Sequence, residues 1–245
     1  MMTRQPITHL ICDCDGVLLD SESIALKVLH RELLPLLPQL VLSTADGEES
    51  DAAAARSEAL HTAIANRLGM FTDRLLAEVD VEFELHLNAA QVEAIHQRVG
   101  LACADEAQPV AGVVEALQMI RLPRAVASNS DFSRIEQGLR RCGLYPQFQG
   151  HIHSGHDVAH PKPAPDVYLA AAAGFGADPE RCVAVDDSVT GVRAAVEAGM
   201  HVLGFVGVAH DRKAMARKLT AAGASKVFDD MKFFPQLISE LIWLR

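Results

Sequence analysis

Short apolar runs alternate with segments of helical periodicity, and this alternation limits the possible folds more than any other feature of the chain. The five apolar runs lie at residues 9–13, 124–128, 151–154, 182–186 and 201–206. Between the second and third runs, Ile135, Leu139 and Cys142 recur at helical spacing. Strands that alternate with helices are typical of a parallel sheet with helical crossovers. The chain is therefore predicted to have an α/β fold.

The alternation stops between residues 19 and 105. This stretch is rich in alanine and in helix-forming residues, is interrupted at Asp46 and Gly47, and contains no convincing strand. We therefore predict an α/β core formed by residues 1–18 and 106–245, with a helical insertion at 19–105. Ligands of α/β sheets bind beyond the carboxyl ends of the strands, so an insertion that leaves from there is expected to cover the site as a cap.

The charge of the chain excludes some classes of partner. Lys and Arg total 22 and Asp and Glu total 32, which gives a formal net charge of -10. Nucleic acids and anionic membrane surfaces are held mainly by Lys and Arg, so neither is an expected partner. A small molecule is the expected partner, while the oligomeric state is open and a monomer is compatible with the sequence.

The chain also lacks the apolar segments that a membrane protein needs. No stretch free of charge reaches the roughly 18 residues of a spanning helix, and residues 1–12 contain no apolar signal-peptide core. The five cysteines form no C-x-x-C pair, so we expect reduced thiols. These features predict a cytoplasmic protein.

Two acidic pairs stand at the ends of predicted strands. Asp13 and Asp15 are two residues apart and share one face of an extended chain. Asp186 and Asp187 close the fourth run, before a predicted helix that Ser188 is placed to cap. If neighbouring strands bring both pairs together, the carboxylates need a divalent cation, and oxygen ligands suit Mg²⁺. A solvated pair at one strand end and a simple helix cap at the other are the alternatives.

Two further strand ends carry groups suited to a phosphate. Ser128 ends the second run and is followed by Asn129 and Ser130, and these residues offer hydroxyls, an amide and backbone N–H groups at a helix start. Lys162 lies between two prolines, which stiffen the segment that presents it, and its ammonium can pair with a phosphate. A helix cap at Ser128 and Asn129 and a solvated lysine are the alternatives.

Together these motifs resemble the haloacid dehalogenase-like hydrolase superfamily. The chain has D-x-D-G-V-x-x-D-S-E from residue 13, a serine at a strand end, then K-P-x-P-D-x-Y and V-D-D-S-x-x-G-x-x-A-A-x-x-A-G-M. The resemblance is closest to the branch that holds phosphoglycolate phosphatases, β-phosphoglucomutases and sugar-phosphate phosphatases. It implies a Rossmann-like, doubly wound parallel sheet with an inserted all-helical cap.

The resemblance also implies a role for each site residue. Asp13 is the expected nucleophile, which forms an aspartyl-phosphate, and Asp15 is the expected general acid and base. The acid role requires a raised pKa at Asp15. Asp13, the backbone carbonyl of Asp15 and Asp187 are the expected Mg²⁺ ligands, with Asp186 assisting through water. Ser128, Asn129 and Lys162 are expected to hold the phosphate oxygens.

The implied function is Mg²⁺-dependent hydrolysis of a small phosphorylated metabolite, either a sugar phosphate or a sugar-acid phosphate. Carbon–halogen cleavage is not expected, because the dehalogenases of the superfamily lack an acid at the position of Asp15. A β-phosphoglucomutase-like hexose-phosphate mutase is the first alternative. Those mutases carry a histidine where this chain has Ala25, and residues 44–52 are acidic here. A catalytically silent phosphate-binding regulator is the alternative from another class.

Overall fold

The computed structural model describes residues 6–38, 48–68, 70 and 72–242. The chain forms two compact units, one from Met1–Ser21 with Ala107–Arg245 and the other from Glu22–Glu106. The first is an α/β unit and the second is helical. That the helical unit acts as a cap over a site remains a prediction.

Six parallel strands form the sheet of the α/β unit, and two further strands form a short ribbon. The strands are β1 His9–Cys12, β2 Leu19–Asp20, β3 Gln108–Pro109, β4 Arg124–Ser128, β5 Ile152–Ser154, β6 Cys182–Asp186, β7 His201–Phe205 and β8 Lys226–Phe228. The five predicted strands are all present within one residue at each end. The sequence prediction missed β8 and the antiparallel ribbon of β2 and β3.

The order of strands in the sheet is β5-β4-β1-β6-β7-β8. The chain runs outward from β1 through β4 to β5 and then returns to the other side of β1 at β6. In doubly wound sheets this switch point is where ligands bind, outside the carboxyl ends of the central strands. In the sheet, Cys12 of β1 is in register with Val126 of β4 and Val185 of β6, so all three strands end at one edge.

Both faces of the central strands are buried, as expected for a parallel sheet covered by helices. Ile11 and Ala184 belong to the core cluster on one face, while Leu10 and Val183, which point to the other face, are also fully buried. This arrangement confirms the predicted Rossmann-like α/β fold. It leaves the strand ends as the place where polar side chains can gather.

Ten α-helices lie within the part of the chain that the structure describes. They are α1 Glu22–Leu33, α2 Glu48–Ala65, α3 Thr72–Phe83, α4 Ala89–Glu106, α5 Val113–Met119, α6 Phe132–Arg141, α7 Asp166–Gly174, α8 Val189–Glu197, α9 Arg212–Ala222 and α10 Phe234–Ile242. Among these residues, no helix has both the length and the apolar character needed to cross a membrane.

The helical unit consists of α1 to α4 and has its own apolar core. Leu29, Leu60, Leu76 and Ile95, one from each helix, are nearly or fully buried. Outside this core the unit carries charge pairs such as Arg67 with Glu82, whose side chains remain partly exposed. Ala25 lies on α1, whereas residues 44–47 of the acidic segment lie outside the described residues.

Candidate active site

The first predicted carboxylate, Asp13, continues the line of β1 past its last residue. Its backbone N–H donates to the carbonyl of Val185 on β6 at 2.9 Å, so the neighbouring strand holds its position. The residue is only 7% exposed. Burial of a carboxylate is costly unless a donor or a cation compensates it.

Lys162 supplies that compensation. Its Nζ donates to Asp13 Oδ1 at 2.6 Å and to Asp186 Oδ2 at 2.8 Å, and its ammonium lies 4.8 Å from the centre of the Tyr168 ring. Lys162 is 3% exposed, so both ion pairs lie in a region of low dielectric. The two carboxylates raise the pKa of Lys162 against the effect of burial, which keeps the ammonium charged.

Asp186 is saturated with hydrogen bonds from the protein. Besides Lys162, the Tyr168 hydroxyl donates to Oδ2 at 2.7 Å, and the N–H and hydroxyl of Ser188 donate to Oδ1 at 2.9 and 2.8 Å. The Ser188 hydroxyl also accepts from Gly191 N and caps α8, as predicted. A Cβ at Gly191 would lie 1.8 Å from Asp186 Oδ2, so only glycine leaves room for this carboxylate.

Asp187 completes a cluster of carboxylates. One oxygen from each of Asp13, Asp186 and Asp187 lies within 4.8 Å of the others, and all three residues are buried. Gly16 has a φ of +78° and packs its backbone against Asp187, so that a Cβ there would lie 2.0 Å from Asp187 Oδ2. Lys162 pairs with Asp13 and Asp186, and the three candidate ligand atoms are all carboxylate oxygens. This arrangement fits a hard divalent cation such as Mg²⁺.

Burial raises the pKa of Asp13 to about 7. Lys162 opposes this rise by stabilising the carboxylate, while Asp186 and Asp15 add to it by repulsion. The sequence placed these acidic groups at strand ends without indicating their burial. The structure shows that they crowd one another closely enough to affect one another's ionisation.

Asp15 has different neighbours from Asp13. The hydroxyls of Ser21 and Ser130 donate to Oδ1 and Oδ2, each at 2.5 Å, and Arg134 Nη2 donates to Oδ1 at 3.0 Å. Burial would raise the pKa of Asp15, but Arg134 and the two hydroxyls outweigh it, and the pKa is lowered. The expectation that the site raises this pKa is therefore wrong for the arrangement seen here, because a cation and two donors stabilise the carboxylate.

Ser128 and Asn129 lie at the predicted edge, at the end of β4. Ser128 is 2% exposed, and its Oγ accepts from the N–H of Ser130 at 3.2 Å. The amide of Asn129 bonds the backbone of Lys162, donating to its carbonyl at 3.2 Å and accepting from its N–H at 2.9 Å. Direct contact of Ser128 or Asn129 with a phosphate remains a prediction. The helix cap belongs to Asp131, whose carboxylate accepts from the N–H groups of Ser133 and Arg134.

Three residues at this edge, Tyr168, Ser21 and Arg134, were not recognised as site residues from the sequence, and Ser130 was considered only for binding phosphate. Tyr168 bonds Asp186, while Ser21, Ser130 and Arg134 surround Asp15. Tyr168 closes the K-P-x-P-D-x-Y motif and Ser21 lies in the first motif, so motif membership was an available signal for these two. Arg134 lies one turn inside α6, and nothing in its sequence context distinguishes it from the other arginines of that helix.

Comparisons with known proteins identify the family of the chain. A family model described as haloacid dehalogenase-like hydrolase matches residues 7–199. The chain is 26% identical to a 6-phosphogluconate phosphatase of Escherichia coli over 87% of this chain and 89% of the relative.

Two solved structures extend the likeness to nearly the whole chain. A conserved haloacid dehalogenase-like protein of unknown function from Agrobacterium tumefaciens is 33% identical, with a TM-score of 0.80 over 96% of this chain and 99% of the other. A hydrolase from Deinococcus radiodurans with bound phosphate and sodium is 28% identical, with a TM-score of 0.74 over 96% of each chain. The chain therefore belongs to the haloacid dehalogenase-like hydrolase family.

Proposed function

We propose that the protein is a Mg²⁺-dependent phosphatase that hydrolyses a small phosphorylated metabolite through an aspartyl-phosphate. The observation that carries this proposal is the buried cluster at the carboxyl edge of the sheet. There, Asp13 and Asp186 share Lys162, and the oxygens of Asp13, Asp186 and Asp187 lie within 4.8 Å of one another. An enzyme that transfers a phosphoryl group needs a nucleophile, a cation site and positive charge together in this way.

In the proposed reaction, a carboxylate oxygen of Asp13 attacks phosphorus in line with the leaving alcohol. The bond from phosphorus to the alcohol oxygen breaks, and Asp15 donates a proton to that oxygen. Water then attacks the phosphorus of the aspartyl-phosphate, gives a proton to Asp15 and releases inorganic phosphate, which regenerates Asp13. Lys162 lies beside Asp13, where its ammonium balances charge on the transferring group.

For Asp15 to act as an acid, its proton must be stabilised during the reaction. Arg134 and two serine hydroxyls donate to Asp15 and lower its pKa, which favours the carboxylate form. Protonation therefore requires Asp15 to loosen its contact with Arg134. Negative charge on a bound phosphate beside Asp15 favours this change, because it draws positive charge and protons towards the site.

The carboxylate cluster is the proposed Mg²⁺ site, with Asp13, Asp187 and the backbone carbonyl of Asp15 as ligands. Asp186 is bonded to Lys162, Tyr168 and Ser188, so its proposed contribution is through water. When bound, Mg²⁺ supplies positive charge that polarises the phosphate oxygens and lowers repulsion between phosphate and carboxylates. The close grouping of three buried carboxylates and their all-oxygen ligand set support this choice.

The proposed substrates are sugar phosphates and sugar-acid phosphates, and the proposed location is the cytoplasm. The 6-phosphogluconate phosphatase relative spans almost the same length as this chain and acts on a phosphorylated sugar acid by its name. The Deinococcus neighbour holds phosphate. Both support a small phosphate ester, while Ser128, Lys162 and, through its backbone N–H, Asn129 are the proposed phosphate-binding residues at the strand ends.

The test is phosphate release from a panel of phosphorylated sugars and sugar acids in Mg²⁺. We expect turnover of at least one panel member, its loss in excess chelator, and a drop of at least about a thousandfold in Asp13→Asn. Asp13→Asn is expected to keep its cooperative unfolding transition, since the amide removes a repelling charge from the cluster. Full turnover by Asp13→Asn, or equal turnover with and without chelator, would contradict the proposal.

The same screen separates the alternatives. A mutase would convert β-glucose 1-phosphate into glucose 6-phosphate in the presence of a bisphosphate primer, without stoichiometric release of phosphate. A silent regulator would show shifts of the melting temperature with panel members and no turnover of any of them. Either pattern would replace the phosphatase assignment.

A further inference from the structure

One side chain at the end of β4 holds the backbone of the catalytic lysine. Asn129 accepts from the Lys162 N–H at 2.9 Å and donates to the Lys162 carbonyl at 3.2 Å. A single amide thus takes both polar backbone groups of one residue, which lies 33 positions away in sequence. Such a pair of bonds fixes both the position and the orientation of the Lys162 backbone.

The two prolines beside Lys162 leave this segment with few backbone donors. Pro161 and Pro163 have no N–H, so within residues 161–163 only Lys162 can donate from the backbone. That donor goes to Asn129. The single backbone donor of residues 161–163 is therefore bonded to a side chain just after β4 and not to its own segment.

The surrounding structure also leaves space for Asn129. Gly155 lies just after β5, and a Cβ there would be 2.7 Å from Asn129 Oδ1 and 3.1 Å from its Cα. A side chain at position 155 would displace the amide from Lys162. The glycine and the two hydrogen bonds are thus independent observations that point to the same arrangement.

The position of the Lys162 ammonium is fixed by two carboxylates at once. It meets Asp13 Oδ1 at 2.6 Å and Asp186 Oδ2 at 2.8 Å simultaneously, on a side chain that is 4% exposed. A movement of about 1 Å at the backbone would break one of these contacts, and displacements of this size reduce catalytic rates strongly. The effect of Asn129 on Lys162 therefore reaches the nucleophile.

We propose that Asn129 is a positioning residue that acts on the reaction through Lys162, and that its amide does not itself contact the substrate phosphate. The expected effect of Asn129 on the reaction rate rests on the proposed phosphatase function. Its expected effect on the position of Lys162 rests on the geometry alone. It also replaces the direct phosphate contact that the motif implied for this side chain.

The first experiment measures Lys162 directly. The wild type and Asn129→Ala are treated with a limiting amount of acetic anhydride, and acetylation is mapped by mass spectrometry. We expect the acetylated fraction of Lys162 to rise at least about threefold in the variant, because the buried ammonium is released. Lys232, whose side chain is 66% exposed, serves as the internal reference and should not change. Unchanged labelling of Lys162 would overturn the proposal.

The second experiment is a double-mutant cycle of Asn129→Ala and Lys162→Met, read as kcat/KM for para-nitrophenyl phosphate. We expect Asn129→Ala to cost at least about tenfold with Lys162 present and less than about twofold in the Lys162→Met background. An equal cost in both backgrounds would show that Asn129 acts on the substrate without Lys162. If Lys162→Met does not fold, the acetylation result decides.

A matched control removes a different bond between a side chain and the backbone in the same unit. Ser225 Oγ donates to the carbonyl of Val202 at 2.8 Å, at the start of β7 and away from the carboxyl edge. Ser225→Ala should leave both kcat/KM and Lys162 acetylation unchanged. If the wild type proves to have no phosphatase activity, the proposed function fails, while the acetylation experiment still tests whether Asn129 holds Lys162.

Discussion

The two units each place one cation between two carboxylates, but in different surroundings. In the α/β unit, Lys162 lies 2.6 Å from Asp13 and 2.8 Å from Asp186, with side chains 4%, 10% and 0% exposed. In the helical unit, Arg67 lies 3.2 Å from Glu78 and 2.6 Å from Glu82, with side chains 23%, 40% and 47% exposed. The contact distances are similar, so the difference between the clusters is the solvent.

Solvent exposure decides how strongly each cluster depends on its members. Water screens the exposed cluster, and such pairs contribute little to stability. In the buried cluster, the charges have lost their hydration, so each depends on its partners and the loss of one leaves the others uncompensated. Burying such charges does not by itself stabilise a chain, so the buried cluster indicates a chemical role. The exposed cluster is typical of an ordinary helix surface.

The largest predicted effect is that of Lys162→Met on stability. The substitution leaves Asp13 and Asp186 buried without their cation, so we expect the free energy of unfolding to fall by about 3 to 5 kcal/mol. Urea denaturation in the presence of chelator, followed by circular dichroism, measures the change. A loss below about 1 kcal/mol would mean that water reaches the buried cluster, and that its difference from the exposed cluster is smaller than the structure indicates.

A second prediction compares one helical glycine from each unit. Gly191 lies in α8, where a Cβ would meet Asp186 Oδ2 at 1.8 Å, whereas Gly100 lies in α4 with nothing within 4 Å of an added Cβ. Gly191→Ala should destabilise the protein by about 1 to 3 kcal/mol and lower turnover, because Asp186 must move. Gly100→Ala should stabilise it by about 0.5 to 1 kcal/mol through helix propensity.

Thermal or urea unfolding of both variants beside the wild type tests this pair. The substitution is the same in each case, and both glycines are helical, so propensity alone predicts the same sign for both. Equal gains in stability would contradict the close packing of α8 against Asp186. Equal losses would instead indicate that Gly100 has a neighbour that the helical unit does not show in the described residues.

The fold was largely predictable from the sequence because its signals are local. Each predicted strand is an apolar run between helical segments, and the burial of both sheet faces makes such runs conspicuous. β8 was missed because it has only three residues, Lys226–Phe228, and begins with an exposed lysine. The β2 and β3 ribbon was missed because its two-residue strands are too short for any periodicity.

The site was predictable only in its carboxyl-edge residues. Ser128 and Asp186 end strands, Asp13 follows one and Lys162 lies in a loop between two prolines, and local patterns reveal all of these positions. The contact of Arg134 with Asp15 depends on where the fold places the first turn of α6 relative to the segment after β1, which one sequence does not specify. The pKa of Asp15 was expected in the wrong direction, since Arg134 and Ser130, two of the neighbours that lower it, come from a distant part of the chain.

The third prediction concerns Arg134 and the pH dependence of turnover. Burial favours the protonated form of Asp15, and Arg134 is the main group that opposes it, so Arg134→Met should raise the Asp15 pKa. If protonated Asp15 is the general acid, the alkaline fall of kcat/KM should move to higher pH. A pH profile of kcat/KM with para-nitrophenyl phosphate, extended below pH 5 because the Asp15 pKa is lowered in the wild type, checks this.

Arg140→Met is the matched control for this profile. Arg140 lies on the same helix and pairs with Glu136 on the exposed surface rather than with Asp15. Arg140→Met should therefore leave the pH dependence of kcat/KM unchanged. A profile that stays the same in Arg134→Met as well would show that the step limiting kcat/KM does not depend on the protonation of Asp15.

The smallest predicted effect is that of Arg67→Met. Arg67 faces the same number of carboxylates as Lys162, but water reaches Glu78 and Glu82, so these carboxylates regain hydration when the cation is removed. We expect the free energy of unfolding to fall by only about 0.2 to 1 kcal/mol for each ion pair, beside the loss of the hydrogen bond from Arg67 to the Ala63 carbonyl.

Raising the salt concentration should shrink the difference between Arg67→Met and the wild type further, since salt screens exposed ion pairs and screens buried ones much less. Urea denaturation at low and high salt for Arg67→Met and Lys162→Met measures both. A loss from Arg67→Met as large as that from Lys162→Met would show that the number of partners, rather than burial, sets the strength of each cluster.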